Sequence, residues 1–129
     1  MIIHDRQEIE NRIKSRTSAN SERVINIDSK DLEAILACND LYAIEVEAED
    51  LANIAVTVLR EMREIGCSGI TNVVLTITCS RSYGLNMMDM EKLSCIMRSL
   101  EEGTEVIWGI SYDNTMPMNK ARLTLIIGK

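Results

Sequence analysis

Asn72-Val73-Val74-Leu75-Thr76-Ile77-Thr78-Cys79 alternates along its length. Val73, Leu75, Ile77 and Cys79 fall on one side of an extended chain, and Val74, Thr76 and Thr78 on the other. Such a segment is a strand with one apolar face. The stretches on either side show the second period of a mixed fold. Upstream, Leu51, Ile54, Ala55, Val58, Leu59, Met62 and Ile65 recur at helical spacing. Glu49 and Asp50 precede that stripe and suit the positive end of a helix dipole, and Gly66 or Gly69 ends it. Downstream, Asn86 can cap a helix over 87–101, whose stripe is Met90, Leu93, Met97 and Leu100, with Ile96 beside it. Gly103 closes it. Residues 72–79 are therefore a strand between two amphipathic helices.

The pattern extends outward. Leu41 to Glu47 reads as a strand with Tyr42, Ile44 and Val46 on one face. Thr104 to Tyr112 alternates through Val106, Trp108, Ile110 and Tyr112. Asp113-Asn114-Thr115-Met116-Pro117 is a turn, and Ala121 to Ile127 is a last strand with Leu123, Leu125 and Ile127 facing the core. The order after residue 40 is βαβαββ, an α+β unit. Right-handed crossovers join its first three strands. The sequence predicts a four-stranded mixed sheet with two long helices on one face and a closing antiparallel hairpin. The other face carries Glu45, Thr76, Thr78, Ser111 and Thr124 with Val74, Ile107 and Ile126. It is open to solvent, to residues 1–38 or to an oligomer contact.

Residues 1–22 are polar and read as a tail or a short helix near 5–15, followed by a linker over 17–22; residues 23–129 form the domain. Ile9 and Ile13, four apart, are the only stripe in the N-terminal part. Asp28 or Ser29 is a good N-cap for a short helix over 30–38.

Composition narrows the function. The 129 residues hold 46% hydrophobic and 26% charged side chains, enough for one self-sufficient core. There is no Phe, one Trp and three Tyr, too few for a base-stacking platform. The net charge of −6 opposes binding to a phosphate backbone, so nucleic acid is not an expected partner. The six glycines are scattered and make no phosphate-cradling loop. His4 is the only histidine, and Cys38, Cys67, Cys79 and Cys95 include no Cys-x-x-Cys pair. No metal site, cofactor site or catalytic pair is expected from such a set, and the cysteines read as small buried residues. Glu45, Glu47, Glu49 and Asp50 read as a solvated acidic face, Met87, Met88 and Met90 as a helix start feeding the core, and Trp108 as a packed strand residue. Arg60 and Arg63 lie opposite the apolar stripe of their helix. The start of the chain reaches charge at once, and no apolar run is long enough to span a membrane. The expected location is the cytoplasm.

The same residues resemble a known family. Asn72 to Thr78, then Leu85-Asn86-Met87-Met88-Asp89-Met90, then Glu105-Val106-Ile107-Trp108-Gly109-Ile110-Ser111-Tyr112-Asp113, then Ala121-Arg122-Leu123-Thr124-Leu125-Ile126-Ile127-Gly128 follow in the order found in the C-terminal domain of FtsZ, the bacterial tubulin-like cell-division GTPase. Upstream, Ile25-Asn26-Ile27-Asp28-Ser29-Lys30-Asp31-Leu32 is similar to the family's acidic-loop segment, with its N-x-D-x-x-D on Asn26, Asp28 and Asp31. Ser29 stands where the family has an aromatic residue. The resemblance covers about 24–128 and leaves out the family's GTP-binding half, so it implies a stand-alone, non-catalytic interaction domain. It implies that Asn26, Asp28 and Asp31 would meet a neighbouring subunit's nucleotide face, where carboxylates can orient a water for phosphoryl transfer. The partner implied is the domain itself, as a homo-oligomer, or a tubulin-like GTPase. The alternative is an oligomeric small-molecule-binding protein or enzyme with a chorismate-mutase-like sheet and a site between subunits. That reading needs convergent arginines, drawn from Arg60, Arg63, Arg81, Arg98 and Arg122.

Overall fold

The computed structural model describes residues 2–16, 21–25, 29–49, 51–66, 68–80, 87–100, 103–113 and 120–129. Side chains are described for 2–11, 32–49, 53–66, 68–80, 91–100, 103–112 and 120–129. The elements are β1 (Ile2–Ile3), α1 (Arg6–Arg16), β2 (Ser21–Ile25), α2 (Ser29–Leu36), β3 (Leu41–Ala48), α3 (Leu51–Ile65), β4 (Asn72–Cys79), α4 (Met87–Arg98), β5 (Glu105–Asp113) and β6 (Ala121–Gly128).

The class is the expected mixed α+β one, but the sheet has six strands rather than four, in the order β1-β3-β6-β4-β5-β2. The two extra strands lie before residue 26, one at each edge, and β2 straddles the expected boundary between the polar stretch and the domain. β4 and β5 are parallel in register, with Leu75 opposite Trp108 and Ile77 opposite Ile110. The expected β5–β6 hairpin does not form. β6 passes over β4 and lies antiparallel between β3 and β4, pairing along its full length with both. The reason lies in β6 itself. Leu123, Leu125 and Ile127 are buried on one face and Ile126 on the other, so the strand gains most from a central place with a ladder on each edge. The connection over 114–119 has six residues, enough to cover the two strand spacings, about 10 Å in all, between β5 and β6.

β3, β4 and β5 run the same way and step across the sheet in one direction. Both crossovers therefore place α3 and α4 on the same face, as expected. Ile54, Ala55, Val58 and Met62 of α3 and Leu93 and Ile96 of α4 close over Ile44, Val73, Leu75, Ile77, Leu123, Leu125 and Ile127. α3 ends where Gly66 turns to φ 87° and its N–H donates to the Met62 carbonyl at 2.9 Å. Lys129 Nζ donates to the Ile65 carbonyl at 3.4 Å and adds a cation to that helix terminus.

The opposite face is covered in part by α1 and α2. Ile9, Leu32 and Ile35 pack there with Ile3, Leu41, Ala43, Val74 and Ile126. Asp5 caps α1, its Oδ1 accepting the Gln7 N–H at 3.0 Å. Its one fully buried described side chain is Ile9. Of the cysteines expected to be buried, Cys79 is buried, whereas Cys38 is half-buried and Cys95 is exposed; Cys67 lies outside the described residues. Cys95 sits on α4 one position before the buried Ile96, so it points away from the sheet. No described helix is long and apolar enough to cross a membrane.

Candidate functional site

The candidate site is the segment from Asn26 to Asp31. Asn26 and Asp28 lie outside the described residues, and Asp31 is described only as the third residue of α2. What the structure defines is the pair of supports on either side. On one side β2 ends at Ile25, paired with Ile110 after a bulge beyond Arg23. On the other, α2 is fixed to the sheet.

Three sets of contacts fix α2. Leu32 and Ile35 are buried against the second sheet face. Gly128 of β6 lets the end of α2 approach closely: a Cβ built there would stand 2.5 Å from Cys38 Sγ and 3.1 Å from Ile35 Cγ1. At the C-terminus, Arg6 donates through Nη1 to the Cys38 carbonyl at 2.9 Å and through Nη2 to the Leu36 carbonyl. Arg6 Nε also holds Glu10 Oε1 at 3.2 Å. A guanidinium so placed satisfies carbonyls that a helix end leaves without intrahelical partners. Beyond the helix, the Asp40 and Lys129 backbones exchange hydrogen bonds of 3.2 and 2.9 Å. The Cys38 thiol lies 3.6 Å from Asn72 Oδ1. An arm that begins at residue 2 thus helps to set the helix that carries Asp31. The sequence gives no hint of the Arg6 contact, because its partners lie 30 and 32 positions away.

The other candidates separate. Glu45 and Glu47 flank Arg122, whose Nε is 4.0 Å from Glu45 Oε1 and 3.3 Å from Glu47 Oε2. Asp50 lies outside the described residues, and Glu49 is exposed. Among the described residues no group of three His, Cys, Asp or Glu could hold a metal. Trp108 is half-buried against the main core. Met87, Met88 and Met90 are described as backbone only, in the first turn of α4. Arg60 and Arg63 are exposed on α3 and Arg98 is exposed at the end of α4, whereas Arg122 shares the opposite sheet face with Glu45 and Glu47. Arg81 is outside the described residues. Arg122 cannot converge with the helix arginines on one carboxylate within a single subunit. His4, in the stretch whose sequence reads as a tail, stacks on Tyr42 with ring centroids 4.2 Å apart, and Lys129 Nζ stands 5.6 Å from the same ring.

No family model and no curated protein matches the sequence. Solved structures do match the fold. FtsZ from M. jannaschii, solved as an empty dimer, superposes with a TM-score of 0.66 and 19% identity, covering 84% of this chain and 32% of the FtsZ chain. A tryptophan-to-tyrosine mutant of the same FtsZ gives 0.65 and 17%, covering 95% of this chain and 38% of its own. The second match leaves too few residues outside for the whole of α1 to be excluded. This chain spans about a third of the length of the FtsZ chains it matches. In fold it is similar to FtsZ and consistent with an FtsZ-like C-terminal domain, the part of that family its sequence resembles.

Proposed function

We propose that this domain is a non-catalytic interaction module that binds a tubulin-like cell-division GTPase and limits its assembly. The observation that carries this reading is the FtsZ fold over a third of an FtsZ chain, in a sequence with no phosphate-cradling glycine loop. Such a domain can offer Asn26, Asp28 and Asp31 to a subunit's nucleotide face and provide no nucleotide face of its own to the next subunit. That asymmetry makes it a cap for one filament end. The anchoring of α2 by Arg6, Ile35 and Gly128 supports the reading, because a helix fixed before it meets a partner costs less to order on binding. FtsZ itself has been solved as a dimer, which supports association between FtsZ-like chains. An intersubunit small-molecule site would have to draw its arginines from two copies, since Arg122 and the helix arginines lie on opposite faces of the sheet in one.

Light scattering of an FtsZ-type GTPase with GTP tests this. One copy of the domain per ten subunits is expected to lower the plateau at least twofold, and the Asp28→Ala/Asp31→Ala variant to restore it. Unchanged assembly and hydrolysis at equimolar domain would sink the idea.

A further inference from the structure

We infer that residues 2–11 form a releasable latch. Docked, this arm holds α2 and the acidic segment that leads into it. Released, it frees both while the main core stays folded. The inference rests on the reading above, because the segment held is the one assigned there to the partner.

The sheet carries two apolar clusters, and the arm belongs to the smaller. The buried residues of the main cluster all lie at Ile44 or beyond it, and of the arm only half-buried Ile2 packs against them. In the second cluster the sheet supplies Leu41, Ala43, Val74 and Ile126, the arm supplies Ile3 and Ile9, and α2 supplies Leu32 and Ile35. The arm and α2 therefore share one cover, and loss of the arm opens the flank of α2 to water.

Arg6 ties the two together directly. Its Nη1 donates to the Cys38 carbonyl at 2.9 Å and its Nη2 to the Leu36 carbonyl. α2 has only eight residues, too few to hold a helix without tertiary contacts. A helix of about two turns shifts or melts as one piece, so release at its C-terminus reaches Asp31 in its first turn.

The attachment of the arm is slight. β1 makes two residue pairs with β3, His4 stacks on Tyr42, and Ile3 and Ile9 are the arm's buried side chains. The Arg6 side chain is 44% exposed, so water can replace it at both carbonyls. The backbone entropy of the arm opposes these few contacts, and such segments open at less cost than global unfolding. Linkage makes the latch reciprocal. A partner that binds the held segment tightens the arm, and removal of the arm weakens the partner by the same factor.

Hydrogen exchange of the full chain reads the latch without a partner. In Arg6→Ala the amides of 33–38 should lose protection by about fivefold or more, while those of β4 keep theirs. Arg6→Lys should fall between, since an ammonium lacks the fork that spans two carbonyls. In the Ile3→Ala/Arg6→Ala/Ile9→Ala variant, a synthetic peptide with the sequence of residues 2–11 should restore protection in α2. The same peptide with alanine in place of its arginine should not. Millimolar peptide matches the effective concentration of a tethered segment. With an FtsZ-type GTPase and GTP, about threefold more Arg6→Ala than wild type should be needed to halve the light-scattering plateau. Unchanged exchange in α2, equal losses in α2 and β4, or two peptides that act alike overturn the latch. So does an Arg6→Ala variant that loosens α2 yet limits assembly as well as the wild type. A wild-type domain without effect on assembly sinks the partner reading instead, and the exchange and rescue results then decide the latch by themselves.

Discussion

Ile77→Ala should lower the unfolding free energy by about 2–5 kcal/mol, read from urea denaturation. Ile77 is fully buried in the middle of β4, beside Leu123 on one neighbouring strand and Ile110 on the other. It lies under the helices of the main face, and the ladders on both sides prevent collapse around the space a methyl would leave. Ile9 is equally buried, yet Ile9→Ala should cost the global transition clearly less. Its helix is attached by one apolar side chain among those described, by the Arg6 contacts and by the two residue pairs of β1. When that attachment weakens, α1 can undock while the rest of the sheet stays paired. Hydrogen exchange separates the two cases. Amides of residues 6–16 should lose protection in Ile9→Ala while those of β4 keep it. Equal losses of global stability in the two variants would show that the arm and the sheet unfold as one unit.

Gly128→Ala should destabilise the protein by about 1–3 kcal/mol. The cause is overpacking, since the new Cβ would meet Cys38 Sγ at 2.5 Å, Cys38 Cβ at 3.0 Å and Ile35 Cγ1 at 3.1 Å. Gly128 is central in its sheet, bonded through its carbonyl to the Thr71 N–H at 3.0 Å, so α2 is the element that must yield. Cys38→Ala removes the nearest of these atoms. The double variant should therefore be more stable than the sum of the two single changes by about 1 kcal/mol. Additive single changes would mean that α2 does not press on Gly128. The same shift of α2 would move Asp31, so Gly128→Ala should also weaken the effect on filament assembly.

The strands and helices of the body were readable because each has a strong period. Residues 72–79 coincide with β4, and Ile54, Ala55, Val58 and Met62 of the apolar stripe are the buried face of α3. Pairing was harder. Consecutive strands with a short link usually form a hairpin, and that prior hid the insertion of β6. The contrary signal was present in Leu125-Ile126-Ile127, since a strand apolar on both faces suits the centre of a sheet, not its edge. β1 has two residues and no period at all; only Ala43 and Ile44, across the ladder, define it. β2 begins at Ser21, within the stretch expected as a linker, because edge strands tolerate polar residues. For the candidate site, the sequence supplied the acidic pattern through a family resemblance, and the structure supplied its supports. Arg6 and Gly128 were silent in the sequence: one acts across more than thirty positions, and the other acts through the side chain it lacks.

The central claim is that this domain seats at one end of a tubulin-like filament through its acidic-loop segment. Electron microscopy of GTP-assembled FtsZ filaments with the gold-labelled domain tests it most directly. The account predicts label at a single end of each filament and none with the Asp28→Ala/Asp31→Ala variant. Label along filament sides, at both ends alike, or unaffected by removal of the two carboxylates would contradict it.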